Sequence, residues 1–157
     1  MGLPVFILVA AALAGQLTAT VPPCTSATPA CTEWIKLPGQ TTRLLVYRTK
    51  ALAVKDERVT RALVLVHGIL RDADNHFRTA VAAGFLAGAL DDTVIIAPRF
   101  ASDSRARGNE VGNCGDSLAS KEANWFCDSQ RSDTWRSGGT TVDGGEFSSF
   151  RLHGRDS

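Results

Sequence analysis

An α/β fold resting on a mostly parallel sheet is predicted by three features: two uncharged apolar runs, residues 62–66 (ALVLV) and 93–97 (TVIIA), and an amphipathic stretch between them. A continuous apolar run is what a strand buried on both faces requires, and parallel sheets bury their strands in this way. In the intervening stretch Phe77, Val81, Phe85 and Ala89 recur every fourth residue, which gives a helix one apolar face. Asp74 or Asn75 is suited to cap that helix, and its pattern runs to about Leu90. Strand, helix and strand in this order form a crossover unit.

The other elements follow from the amino terminus. Residues 3–15 are an uncharged apolar run, and the following Gln16, Leu17, Thr18 and Ala19 resemble a small-residue cleavage site, so residues 1–19 read as an export signal and the chain as secreted. No Lys or Arg precedes the run and its apolar character extends to Val21, which leaves an uncleaved membrane anchor as the alternative. Against that, a spanning helix needs about 20 predominantly apolar residues, and the threonines and Gln16 dilute this one. Residues 20–42 form a Pro/Thr-rich arm whose Val-Pro-Pro and Leu-Pro-Gly mark turns. Residues 43–48 (RLLVYR) have the composition of a short strand, with 51–55 as a candidate partner. Residues 101–145 are dominated by Ser, Gly, Asp, Asn and Arg, and a stretch of this length inside a compact domain is either functional or without fixed structure.

At 157 residues and 44% apolar the chain has material for one globular unit. Seventeen Lys and Arg are scattered among sixteen Asp and Glu, so no field is present to recruit nucleic acid. The four cysteines, Cys24, Cys31, Cys114 and Cys127, all lie beyond the export signal, where an even number implies disulfides. Three connectivities are open, and the nearest-neighbour one, Cys24 with Cys31 and Cys114 with Cys127, closes the two shortest loops. Their spacing is not that of a CxxC zinc site, and no metal or other cofactor is expected.

The feature with chemical content is Val66-His67-Gly68-Ile69-Leu70 at the carboxyl end of the first apolar run, where ligands gather in open α/β sheets. Gly68 permits a tight turn, after which the backbone amides of Ile69 or Leu70 can face a developing oxyanion. An ordinary strand-to-helix turn would use the same residues. Trp125 and Trp135 offer either stacking faces for a substrate or anchors that hold a polar loop on the sheet.

Taken in order, Val64-Leu65-Val66-His67-Gly68, Arg71-Asp72-Ala73-Asp74-Asn75-His76-Phe77, Ile95-Ile96-Ala97-Pro98-Arg99-Phe100, Asn124-Trp125, Trp135-Arg136-Ser137-Gly138-Gly139 and Phe147-Ser148-Ser149-Phe150 are similar to secreted fungal and bacterial α/β-hydrolases. The resemblance covers residues 43–150. It implies a lipase- or esterase-like three-layer fold, an oxyanion amide from Ile69 or Leu70 beside His67 and Gly68, and a small ester or acyl substrate. No G-x-S-x-G occurs, and the tail, residues 151–157, departs from the family. The chain is therefore expected to be the N-terminal part of such a domain, truncated before the nucleophile strand and inactive without its nucleophile, acid and catalytic histidine. In such folds the His-Gly strand separates the next strand from the nucleophile strand, so residues 62–66 are expected to form an open apolar edge prone to self-association.

Two serine motifs compete weakly. Gly115-Asp116-Ser117-Leu118 spells the signature of another esterase family but follows a loop instead of an early strand, and Ser148 or Ser149 with His153 and Asp156 would compress a triad into one short segment. The alternative outside enzymology is a secreted binding module using the Trp125 and Trp135 loop.

Overall fold

The structure is a computed structural model that describes residues 21–103, 114–127, 134–137 and 141–142. The predicted export signal, the 151–157 tail, and Ser148, Ser149, His153 and Asp156 lie outside the described residues. The elements are strands β1 (Thr32–Lys36), β2 (Arg43–Arg48) and β3 (Arg61–Val64), helix α1 (Ala73–Leu86) and strand β4 (Thr93–Arg99), with short 3-10 turns at Pro29–Cys31 and Trp135–Ser137. The sheet order is β1-β2-β4-β3.

This corrects the predicted architecture. β1 pairs antiparallel with β2, β2 antiparallel with β4, and only β3 with β4 is parallel. The sheet is mixed and mostly antiparallel, and α1 is the single α-helix among the described residues, so the three-layer, mostly parallel sandwich of an α/β-hydrolase fold is not what forms. The reason lies in the connections. Residues 37–42 are too few to carry a crossover, so β1 and β2 must run antiparallel, whereas the long connection through α1 allows β3 and β4 to run together. β1 itself, with Thr32 opposite Tyr47 and Lys36 opposite Arg43, arises inside the arm that the prolines marked as irregular. Residues 51–55 form no strand, and β2 takes its partners from β1 and β4 instead.

β4 is the central apolar strand. Ile95 and Ala97 are buried under α1, against Phe77, Ala80 and Val81, and Thr93 is buried as well. Phe77 is fully buried and stacks on Tyr47 of β2 at 5.8 Å between ring centroids. Burial of a side chain this size contributes roughly 1.5–3 kcal/mol. Gly84 supplies the close approach: a Cβ there would stand 2.9 Å from the Leu90 side chain and 3.1 Å from that of Ile95.

α1 begins and ends earlier than its pattern predicts. Its N-cap is Asp72, and Gly88 adopts a left-handed φ of 62° just past the C-cap, so that Gly88 N–H bonds Phe85 C=O and Ala89 N–H bonds Gly84 C=O. That pattern satisfies the last carbonyls and stops the helix. Phe85, in the last turn of α1, is 72% exposed instead of packed with Phe77 and Val81.

Residues 62–66 lie at the sheet edge but are not buried on both faces as their apolar run predicts. Every residue of β3 is exposed, since it is an edge strand and α1 packs over β4 and β2. Pairing with β4 stops soon after Leu65 N–H donates to Ile96 C=O. Bonds on one side of a strand alternate, so residue 98 would supply the next donor towards β3, and Pro98 has no N–H. The chain after Val66 is thereby freed from the ladder at the place where the candidate site forms.

Candidate functional site

The site is the connection from β3 to α1. Arg71 N–H donates to Gly68 C=O at 3.0 Å, closing a turn with Ile69 and Leu70 at its centre. The two central amides of such a turn face away from the closing bond. Neither the Ile69 nor the Leu70 amide donates a hydrogen bond among the described residues, and both side chains are exposed, at 51% and 69%. Gly68 has open space around its Cα.

Arg71 holds this turn in place. It has a left-handed φ of 54°, rare for a residue with a side chain, and its guanidinium returns to the turn through a 2.8 Å bond to Ile69 C=O. Its Nε meets Asp116 Oδ2 at 2.6 Å, in an ion pair where the Arg71 side chain is only 5% exposed. The same Asp116 oxygen accepts the Ser102 N–H at 2.8 Å. One carboxylate thus ties the turn, the segment after β4 and the Cys114 loop together. In the sequence Asp116 stands out only inside Gly115-Asp116-Ser117-Leu118, and its role here is structural. Ser117 accepts, through its carbonyl, a bond from Arg99, and no histidine among the described residues bonds its hydroxyl.

His67 is buried beneath the turn. Phe100 N–H, the donor that follows Pro98 on the β3 side of β4, donates to His67 Nε2 at 2.9 Å, while His67 Nδ1 lies 2.9 Å from Gly68 C=O. Nε2 must therefore be the acceptor and Nδ1 the protonated donor. Burial lowers the pKa of this imidazole, opposed by the bond to Gly68 and assisted by charge on His76 and Arg71. Both ring nitrogens are occupied, so His67 sets the shape of the loop and has no lone pair for a substrate.

Trp125 and Trp135 pack beneath the same region. Trp125 is fully buried and Trp135 only 4% exposed. Phe100 stacks on Trp135 at 5.6 Å and meets Trp125 edge-on at 5.1 Å, and His67 sits edge-on to Trp135 at 4.8 Å. With Leu37 and Ala123 these rings form a second apolar cluster under the strand ends. Neither tryptophan presents an open face for stacking.

The segment from Cys114 to Cys127 is joined to the sheet by polar groups. Glu122, with a side chain 1% exposed, accepts from Arg99 at 2.8 Å and from the Ala119 N–H at 2.9 Å. Asn124 is fully buried and exchanges two hydrogen bonds with Asp103, through its side-chain oxygen to the backbone amide and its side-chain nitrogen to the carboxylate. The cysteines pair at disulfide distance as Cys24 with Cys31 and Cys114 with Cys127, at Cα separations of 5.5 and 6.2 Å. These pairs are compatible with an extracellular protein. No helix among the described residues is long and apolar enough to cross a membrane. No group of three His, Cys, Asp or Glu gathers among the described residues to hold a metal ion.

The sequence motif did not identify Asp72 and His76. They stand four residues apart on the first turn of α1, with His76 Nδ1 3.1 Å from the Asp72 carbonyl oxygen and 3.4 Å from its Oδ1. The i, i+4 spacing of a carboxylate and a histidine at a helix start is the signal that could have found them.

Comparison of the chain with protein-family models, curated proteins and solved structures gives no match.

Proposed function

We propose that this chain carries the oxyanion-binding loop of a secreted, esterase- or lipase-like serine hydrolase acting on a small ester or acyl substrate. One observation carries the reading: the turn at the carboxyl end of β3 leaves the Ile69 and Leu70 amides unpaired, while Arg71 and Asp116 hold it rigid. Donors fixed before the reaction stabilise a developing oxyanion without reorganisation, and α/β-hydrolases take one such amide from the loop between a strand and the helix after it. The parallel β3–α1–β4 unit supports this placement. The exposed Ile69 and Leu70 side chains add an apolar border suited to an acyl chain. His67 is engaged at both nitrogens, so the reading assigns it no part as base, and it places the serine nucleophile among residues other than those described.

The test is made on the protein in its full length. A fluorophosphonate should label a serine, p-nitrophenyl esters should be hydrolysed, and Ile69→Pro should lower kcat about 10²–10³-fold by deleting one amide. A protein with no labelled serine would sink the reading.

We further infer that β3 pairs with a second copy of the chain. It is an edge strand with no charge from Ala62 to Val64, and Val64 is 55% exposed. Such edges recruit other strands, and a lysine on them blocks pairing. Sedimentation should show concentration-dependent association that Val64→Lys abolishes.

A further inference from the structure

Asp72 and His76 have the arrangement that an acid–base pair needs. A carbonyl oxygen only accepts, so His76 Nδ1, 3.1 Å from the Asp72 carbonyl, must carry the proton, and the basic lone pair is left on Nε2. That nitrogen has no hydrogen bond among the described residues, and the side chain is 34% exposed. The carboxylate of Asp72, 3.4 Å from Nδ1, lies where it would stabilise the imidazolium, and is itself steadied by Asn75 Nδ2 at 3.3 Å. His67, nine positions earlier and buried, has neither feature. The helix that bears His76 starts directly after the Gly68–Arg71 turn, so base and amide donors share one short connection.

We propose that His76, oriented by Asp72, is a general base that activates water against a neutral ester whose carbonyl oxygen rests on the Ile69 and Leu70 amides. This extends the reading above, on which the oxyanion role of the amides depends. His76 Nε2 takes a proton from water as the water oxygen bonds to the carbonyl carbon, and the carbonyl π pair moves to oxygen, facing the amides. Collapse breaks the bond to the leaving alkoxide, which takes the proton back from His76, so ester and water become acid and alcohol with no other reactant.

The chain as it stands is assayed on p-nitrophenyl acetate, with melting curves for each variant. Turnover should exceed that of free imidazole at equal concentration, and His76→Gln should remove about 10²-fold of it. Asp72→Asn should lower kcat about tenfold at unchanged KM, and added imidazole should restore part of the rate to His76→Gly. A wild-type rate no higher than imidazole, or a folded His76→Gln as active as wild type, overturns the proposal. Loss with His76→Gln but not with Ile69→Pro would leave His76 in place and sink the oxyanion reading; the reverse pattern would sink His76 alone.

Discussion

The two apolar clusters of this molecule are built on different principles. Under α1, Phe77, Ala80, Val81, Ile95 and Ala97 meet as side chains on regular elements, and little but shape and apolar area joins them. Under the strand ends, Phe100, Trp125 and Trp135 sit in irregular backbone whose groups are satisfied by buried polar side chains: Asp116 to Ser102, Glu122 to Ala119, Asn124 to Asp103. Regular elements satisfy their own hydrogen bonds, whereas a loop packed on a sheet must borrow partners from side chains. The second cluster, which supports the candidate site, is therefore the one where single polar substitutions should do most damage.

The largest expected effect is at the ion pair under the turn. Asp116→Ala leaves Arg71 buried without a counter-charge and removes the Ser102 bond, so it should cost about 3–5 kcal/mol, while replacing both partners with apolar residues should cost much less. Urea denaturation of the single and double variants checks this, and equal losses would mean that the polar tie is not what holds the second cluster. Next come the disulfides. Loop closure over separations of 13 and 7 residues predicts that removing Cys114–Cys127 costs about 3 kcal/mol and removing Cys24–Cys31 slightly over 2 kcal/mol, readable as two distinct melting temperatures.

A smaller effect should follow pH. Because burial depresses the folded-state pKa of His67, the unfolded chain binds its proton more readily. This contribution is complete above the ordinary imidazole value of about 6.5, declines as pH falls below it, and is gone once the pH passes the depressed folded value. His67→Gln should flatten that part of the stability profile, and an unchanged profile would contradict the burial argument. The smallest effect is at Leu86, 84% exposed on α1, where Leu86→Lys should change stability by less than about 0.5 kcal/mol. A larger loss would show that the first cluster extends further than the packed face of the helix.

Local pattern carried part of this structure. The strands at residues 43–48 and 93–97, the helix between the apolar runs, and the nearest-neighbour cysteine pairing were legible because each depends on residues close in sequence. Sheet direction was not. The runs at 62–66 and 93–97 are alike in being short, apolar and uncharged, yet one is an exposed edge and the other the buried centre, since exposure depends on where β2 and α1 lie. β1 was hidden because five residues between prolines have too short a pattern to oppose the turn signals around them. At the site, His-Gly and the amides of Ile69 and Leu70 could be named from sequence, and the ordinary turn geometry that frees them is local. What makes that turn rigid is not local. Arg71 meets Asp116 across 45 positions and His67 meets Phe100 across 33, and no periodicity records such contacts.

The sequence by itself determined the parts that short-range physics decides: where apolar faces recur, where glycine permits a turn, which cysteines lie near one another. Tertiary structure alone decided that the sheet is mixed, that His67 is engaged by the backbone of Phe100 while His76 Nε2 has no hydrogen bond among the described residues, and that Trp125 and Trp135 face inward. The reason is common to all three. Burial and hydrogen-bond partnership are properties of a place in the packed chain, and the same residue type acquires a different chemistry with each neighbour that folding brings to it.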